Sequence, residues 1–279
     1  MAEKIVAPQL IASACEMTGI KCSPASKDGV VIKIHLPKKD HLVVNFNLGL
    51  IDSSATYICK DKSYQIELLK NTVNFPQTIS YLDPQSKYGH MAKLSTLSSI
   101  AEDIEKNFSL PVIVKMNQGS EGQGVYLCQT FEEIKNAVNT IFSHQNWEYD
   151  YVLLAQQYIK PKAEYRAIFY KDQLEILYLK DNAQSTFTGN LSPLHFSGAQ
   201  AVEITNSETK EKIEQFIKPI FSEIKLKYAG FDVIVDENDK LWLIEINSSP
   251  AFAYFLQNNP AEKVIQLFCK IFSDLKNEK

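Results

Sequence analysis

Residues 229–252 read AGFDVIVDENDKLWLIEINSSPAF. Two apolar runs, 230–236 and 241–247, are joined by a polar turn, so the stretch predicts a β-hairpin. Three residues interrupt the apolar pattern: Asp232 in the first run, Glu245 and Asn247 in the second. Glu245 and Asn247 are two apart and project from one face of a strand. Asp232, on the partner strand, can face them. Two carboxylates and an amide oxygen are hard ligands, the kind magnesium takes together with phosphate oxygens. A single such residue would pass as the solvated side of an ordinary hairpin. Three converging beside Leu243, Ile244 and Ile246 point to a metal site.

A second signal lies upstream, in PVIVKMNQGSEGQGVYL (111–127). Lys115 closes an apolar strand, and a loop with Gly119, Gly122 and Gly124 follows. Glycines let backbone N–H groups approach a phosphate closely. No Lys-Ser or Lys-Thr follows the glycines, so this is not a P-loop; a strand rather than a helix follows, so it is not a Rossmann turn. Strand, Gly-rich loop and strand together make a flap. Further on, YVLLAQQYI (151–159) is an apolar strand with polar residues at its end, trailed by Glu164 and Arg166.

Between these landmarks the pattern is mixed. Helices are expected over 8–19, over 61–74 with Asp61 as N-cap, over 89–108, over 130–143 with a Thr130/Glu133 capping box, over 207–227 and over 260–276. Strands are expected over 29–36 and 41–46, and a hairpin over 164–171 and 173–180. A polar loop spans about 181–200 and includes His195. Strands and helices interleave with several antiparallel hairpins, so the class is α+β.

The 279-residue length calls for more than one packed unit. A net charge of −4 lacks the basic field of a nucleic-acid binder. The five cysteines form no C-x-x-C pair, which argues against a zinc or redox motif and for free thiols in a reducing compartment. The N-terminal stretch lacks a signal-peptide pattern, and no run approaches the roughly 20 apolar residues that span a bilayer. The expected location is the cytoplasm.

Taken together these pieces resemble the ATP-grasp superfamily, in the branch of the ribosomal-protein glutamate (RimK-type) ligases, the glutathione-synthase half of bifunctional glutathione enzymes and the cyanophycin synthetases. AGFDVIVDENDKLWLIEINSSPAF looks like that branch's G-x-D…E-x-N-x-S-P signature. PVIVKMNQGSEGQGVYLCQT looks like its P-x-x-x-K and Gly-rich flap. IDSSATYICKDKSYQIELLKNTVNFPQT (51–78) looks like the stretch before it, where a lysine opens a helix. The resemblance implies two α+β sub-domains clasping ATP. The expected divisions are a short N-terminal helix and hairpin region (1–60), a central helical linker (61–110), a lid (111–160) and a C-terminal sub-domain (161–279).

The resemblance also implies roles. Lys62 and Lys115 would hold the nucleotide phosphates under a flap of Gly119, Ser120, Glu121, Gly122, Gln123 and Gly124. The backbone of Gln156, Gln157, Tyr158 and Ile159 would read the adenine, and Glu164 the ribose. Asp232, Glu245 and Asn247 would hold two Mg²⁺ ions, with Mn²⁺ able to replace them. Arg166, Lys180 and Asn190 fall near the transferred phosphate and the acceptor. The implied reaction is ATP-dependent coupling of a carboxylate to an amine through an acyl phosphate, on an amino acid, peptide or protein. Relatives are commonly dimers or tetramers, and neither nucleic acid nor membrane is an expected partner. An ATP-binding regulatory module and a small-molecule kinase are the alternatives on the same fold. The branch usually has arginine at the position of Lys180 and a fuller domain before Lys62.

Overall fold

A computed structural model describes residues 7–146 and 149–278; residues 1–6, part of the stretch read above for a signal peptide, lie outside them. The chain opens with α1 (Ala7–Met17) and a sheet of β1 (Lys21–Pro24), β2 (Val31–His35) and β3 (His41–Val44). Two short helices follow, α2 (Ser53–Lys60) and α3 (Lys62–Leu69). Asp61 separates them. Its backbone is extended, and its carboxylate accepts the Tyr64 N–H at 3.0 Å, capping α3 as the sequence led one to expect.

A second sheet, in the order β4-β7-β5-β6, is built from β4 (Thr78–Leu82), β5 (Val112–Met116), β6 (Val125–Cys128) and β7 (Val152–Gln157). Helices α4 (Leu97–Asn107) and α5 (Phe131–Ile141) cover it, sharing one core with Val112, Val114, Leu153 and Ala155. The Thr130 hydroxyl accepts from Glu133 N–H at 3.2 Å and Glu133 Oε2 accepts from Thr130 N–H at 3.2 Å, so α5 starts at a full capping box. The expected helix over 89–108 is shorter: residues 89–91 form a 3-10 turn, and α4 starts after a cap at Thr96. The strand β4 was not expected. With α4 it falls in the 61–110 stretch yet joins the sheet formed by residues 111–157.

The third sheet, in the order β10-β9-β8-β11-β12, holds β8 (Pro161–Tyr170), β9 (Gln173–Asp181), β10 (Gln200–Glu203), β11 (Tyr228–Asp236) and β12 (Leu241–Asn247). On one face lie α6 (Ser207–Ile217) and α7 (Ile220–Glu223), which share a core with Phe169, Phe231 and Leu243. The single helix expected over 207–227 is broken here, because Pro219 has no N–H to continue the ladder. After α8 (Phe255–Asn258), α9 (Glu262–Asn277) returns to pack on α1, and a core of Tyr170, Tyr178, Tyr228, Phe252 and Phe268 joins the two ends of the chain.

Every pairing in the three sheets is antiparallel, the α+β class. No helix among the described residues is long and apolar enough to cross a membrane.

Candidate active site

Alternation along β11 and β8 sorts residues to two faces of the third sheet. Ala229, Phe231, Val233, Ala167 and Phe169 enter the core under α6. The alternate residues divide along the strands. Ile168, Tyr170, Tyr178 and Tyr228 sit in the core shared with α1 and α9. Glu164, Arg166, Lys180 and Asp232 lie further along the same face and carry charge.

Strand β12 reaches this charged half through an irregularity. Asp232 pairs with Glu245 and Val233 with Leu243, so Ile244 is one residue too many. The buried positions run Leu241, Leu243 and then Ile246. Unbroken alternation would send Glu245 after Leu243 into the core. The bulge turns it, with Asn247, toward Asp232, and bulges beside functional sites commonly re-aim a side chain in this way.

The charges there form a linked set. Arg166 grips Asp232 with Nε on Oδ1 and Nη2 on Oδ2, both at 2.6 Å. Lys180 Nζ stands 2.6 Å from Glu164 Oε1 and 3.1 Å from Asp232 Oδ2. Burial by itself would raise the Asp232 carboxyl, but the cations of Arg166 and Lys180 hold it well below the usual carboxylate range. Burial likewise works against the Lys180 cation, and Asp232 and Glu164 outweigh it, raising its pKa. Glu245 is held more loosely. Lys62 Nζ is 3.7 Å from its Oε2, Arg166 Nη2 is 4.0 Å from its Oε1, and Asn247 Nδ2 donates to Oε1 at 3.1 Å.

Two further lysines come from outside this sheet. Lys62, the first residue of α3, donates to Gly119 O at 2.5 Å and Asn117 O at 3.4 Å. Lys115, on β5 and only 4% exposed, donates to Gln156 Oε1 at 2.8 Å. Gln156 Nε2 in turn donates to the Thr78 hydroxyl at 2.9 Å. Burial pushes Lys115 down to about 7; the Lys62 charge adds to this and Glu245 opposes it.

The Gln156 backbone does not face the adenine as expected: β7 lies between β4 and β5, and Gln156 is registered against Thr78 on one side and Ile113 on the other. Its main chain belongs to the sheet, and its side chain is what addresses the site. Gln157 ends the strand, with its N–H donating to Gln77 O at 2.8 Å; Tyr158 and Ile159 lie past the end. Glu164, expected at the ribose, is paired with Lys180.

The flap folds back over Lys62. Gln123 N–H donates to Ser120 O at 3.0 Å, and Glu121 and Gly122 are left-handed, with φ of 56° and 72°. Asn190 Nδ2 donates to Glu121 O at 2.8 Å, and Ser192 N–H donates to Asn190 Oδ1 at 2.8 Å. A Cβ on Gly122 would come within 2.1 Å of Asn190 Oδ1, so only glycine permits this approach. Asn190 therefore meets the flap. His195, further along the same loop, has its ring against Tyr254 at 5.1 Å between centroids.

Two contributors escaped the sequence reading. Asn117 is 1% exposed and accepts Ser63 N–H at 2.8 Å through Oδ1, docking α3 onto the flap's root. Gln65 is equally buried. The signal was present in α3, whose buried positions are Lys62, Gln65 and Leu69. That is a helical stripe with polar residues at two of three places.

The chain is similar to known proteins in sequence and in fold. A family model described as the RimK-like ATP-grasp domain matches residues 60–268. The chain is 27% identical over 182 residues to the MG012 homolog of Mycoplasma pneumoniae, covering 63% of this chain and 56% of that protein. It is 25% identical over 170 residues to a probable alpha-L-glutamate ligase of Trichodesmium erythraeum, covering 60% of this chain and 50% of the other. The chain thus spans about half the length of these relatives. Among solved structures, a RiPP-associated ATP-grasp ligase of Chryseobacterium gregarium, in complex with ADP and a leader and core peptide, superposes with a TM-score of 0.59 at 14% identity, over 96% of this chain and 93% of that one.

Proposed function

The chain belongs to the RimK-like ATP-grasp family, and on that premise we propose that it is an ATP-dependent carboxylate–amine ligase working through an acyl phosphate. The observation that carries this reading is the convergence of Lys62, Lys115, Arg166 and Lys180 from two sheets and α3 around Asp232 and Glu245. Four basic side chains face three carboxylates, counting Glu164, in a largely buried place, and a polyphosphate would balance them and favour the Lys115 proton that burial disfavours.

In this reading Lys62 and Lys115 take the phosphate oxygens, and the flap of residues 119–124 covers them. Main-chain groups at and just past the end of β7, in Gln157, Tyr158 and Ile159, would meet an adenine edge, and Glu164 would bond the ribose hydroxyls. The substrate carboxylate attacks the terminal phosphorus and the bond to the bridging oxygen breaks, releasing ADP. Arg166 and Lys180 offset the negative charge that grows in that step. An acyl phosphate hydrolyses readily, so the flap, latched by Asn190, keeps water out. The amine then attacks the carbonyl carbon, the carbon–oxygen bond to phosphate breaks, and the nitrogen gives up a proton.

The donors at the site fit magnesium. Glu245 has no short ion pair, and turning the Asn247 amide would bring its oxygen to the same side. No group of three His, Cys, Asp or Glu among the described residues is placed to hold a metal, so phosphate oxygens would have to complete an ion's shell. Asp232 could join only by loosening its pairs with Arg166 and Lys180. Two ions held by Asp232, Glu245 and Asn247 remain our proposal, with Mn²⁺ as a substitute; when bound, they would withdraw charge from the phosphate oxygens.

Relatives named as probable alpha-L-glutamate ligases, and a fold shared with a ligase solved in complex with a leader and core peptide, favour glutamate or a similar amino acid as one substrate and a peptide or protein as the other. The test is coupled ADP release with ATP and Mg²⁺ against pooled amino acids and peptides. Release that needs both a carboxylate and an amine is the expected outcome. A stable phosphorylated product formed without an amine would make the protein a kinase. Binding of ATP with no release under any pairing, peptides and proteins included, would leave a binding module.

A further inference from the structure

Strand β12 is the last in its sheet, so the side away from β11 has no strand to pair with. In an antiparallel pair the N–H and C=O of one residue point to the same side. Ile246 sends both toward that open edge, where a side chain meets them. Gln65 Oε1 accepts Ile246 N–H at 2.8 Å, and Gln65 Nε2 donates to Ile246 O at 3.4 Å. Nε2 also donates to Cys59 O at 2.7 Å, fixing the amide's orientation from the end of α2. The side chain thus behaves as one residue of an additional strand.

Its location gives this arrangement a use. Ile246 lies between Glu245 and Asn247, and Gln65 is one turn along α3 from Lys62. The other outward residues of β12 are held by a different segment: Leu243 N–H donates to Asn74 O at 2.8 Å and Asn74 Nδ2 donates to Leu241 O at 3.3 Å. Those contacts precede the bulge at Ile244, after which the outward positions change. Gln65 is the contact past the bulge, in the half of the strand that carries the oxygen donors.

We propose that Gln65 is a positioning residue: its amide replaces a strand on the edge of β12 and fixes Glu245 and Asn247 at a set separation from Lys62. This rests on the reading of Glu245 and Asn247 as metal ligands only for the second of two measurements. In the first, amide hydrogen exchange is followed at Ile246 in the metal-free, nucleotide-free protein. Gln65→Met keeps the length and apolar bulk but removes both hydrogen bonds to Ile246, along with the one to Cys59 O. Exchange at Ile246 should then rise about tenfold or more, while Val233 on the inner strand stays protected. In the second, Mn²⁺ affinity is measured with ADP bound, beside ADP affinity without metal. Mn²⁺ should bind about tenfold more weakly to Gln65→Met, with metal-free ADP affinity unchanged.

Gln65→Glu, which accepts the Ile246 N–H in either protonation state, should restore protection at Ile246 and serves where the methionine variant does not fold. Unaltered Ile246 exchange in Gln65→Met would overturn the proposal. So would equal losses of Mn²⁺ and metal-free ADP affinity, which mark a purely structural residue. If the unaltered protein holds no Mn²⁺ with ADP bound, the metal-site reading fails, and the exchange at Ile246 still decides the role of Gln65.

Discussion

Two pairs of cations stand in one site, and they are held in opposite ways. Arg166 and Lys180 rest on carboxylates at 2.6 Å, so their charge is already neutralised. Lys62 and Lys115 rest mainly on neutral oxygens, the carbonyls of Gly119 and Asn117 and the amide of Gln156. The first pair is a fixed part of the sheet. The second holds positive charge that the folded protein leaves largely uncompensated, and for Lys115 the burial cost shows in a pKa near 7. A site built this way is structurally complete on the Arg166 side and electrostatically incomplete on the Lys115 side until an anion arrives.

Removing a charge from each side should therefore have opposite consequences. Asp232→Asn leaves Arg166 and Lys180 buried without their shared partner, and should cost about 3–5 kcal/mol in urea unfolding. Lys115→Met removes a cation whose burial is unfavourable, and should leave unfolding within about 1 kcal/mol of the parent or raise it. Similar losses in both variants would end the distinction.

Next in size is the effect on binding. Lys115→Met should weaken ADP by about 1.5–3 kcal/mol, the worth of a hydrogen bond to a charged group, read by calorimetry. Glu245→Gln should leave the fold intact and abolish turnover; retained activity in that variant would sink the assignment of Glu245 as a metal ligand.

Titration separates the pairs at opposite ends of the scale. Lys115 has a lowered pKa, through burial and Lys62 on α3, opposed by Glu245 on β12, with Gln156 on β7 neutral. Between about pH 7 and 10.5 the unfolded chain binds the proton that the folded one has lost. Stability therefore rises with pH across that window, and the full burial cost is present below it. Asp232 has a lowered carboxyl pKa, so its contribution is present above the unfolded value near 3.9 and is lost as pH falls through the folded one. Phosphate binding should restore the Lys115 proton. At pH 8 calorimetry in buffers of different ionisation heat should show uptake of about one proton per ADP, absent in Lys115→Met. No uptake in the parent would mean that Lys115 is already charged.

The smallest effect belongs to the latch. Gly122→Ala places a Cβ against Asn190 at a φ of 72° and should cost about 1 kcal/mol, with faster loss of the acyl phosphate to water. Uncoupled ADP release in the absence of amine would report it.

Much of this was legible in residues. Asp232, Glu245 and Asn247 announced themselves because polar side chains in an apolar hairpin need a partner. Lys62 came only through the resemblance, as the lysine that opens a helix, whereas Lys115 stood out by its isolation in an apolar strand. Strand β4 was missed because TISYL is short and half-buried, and becomes a strand only by pairing with β7. The partners of Glu164 and Gln156 were equally hidden, since each is set by a strand distant in sequence. Burial of Gln65 was visible as a periodic position, but its partner, 181 residues away, was not.

The surplus residue at Ile244 divides β12 into two reading frames. Before it, the strand obeys the demands of the α6 core; after it, the same alternation serves the charged site. Changes in the first frame are volume changes in a packed interior, and changes in the second are changes of chemistry. Deleting Ile244 would merge the frames: Glu245 would follow Leu243 directly, and plain alternation would then keep Leu241, Leu243 and Ile246 in the core and Glu245 and Asn247 on the charged face. Ile244 is therefore the residue whose loss would leave every other side chain of β12 on its face, because what it supplies is a local change of direction rather than a side chain in either frame.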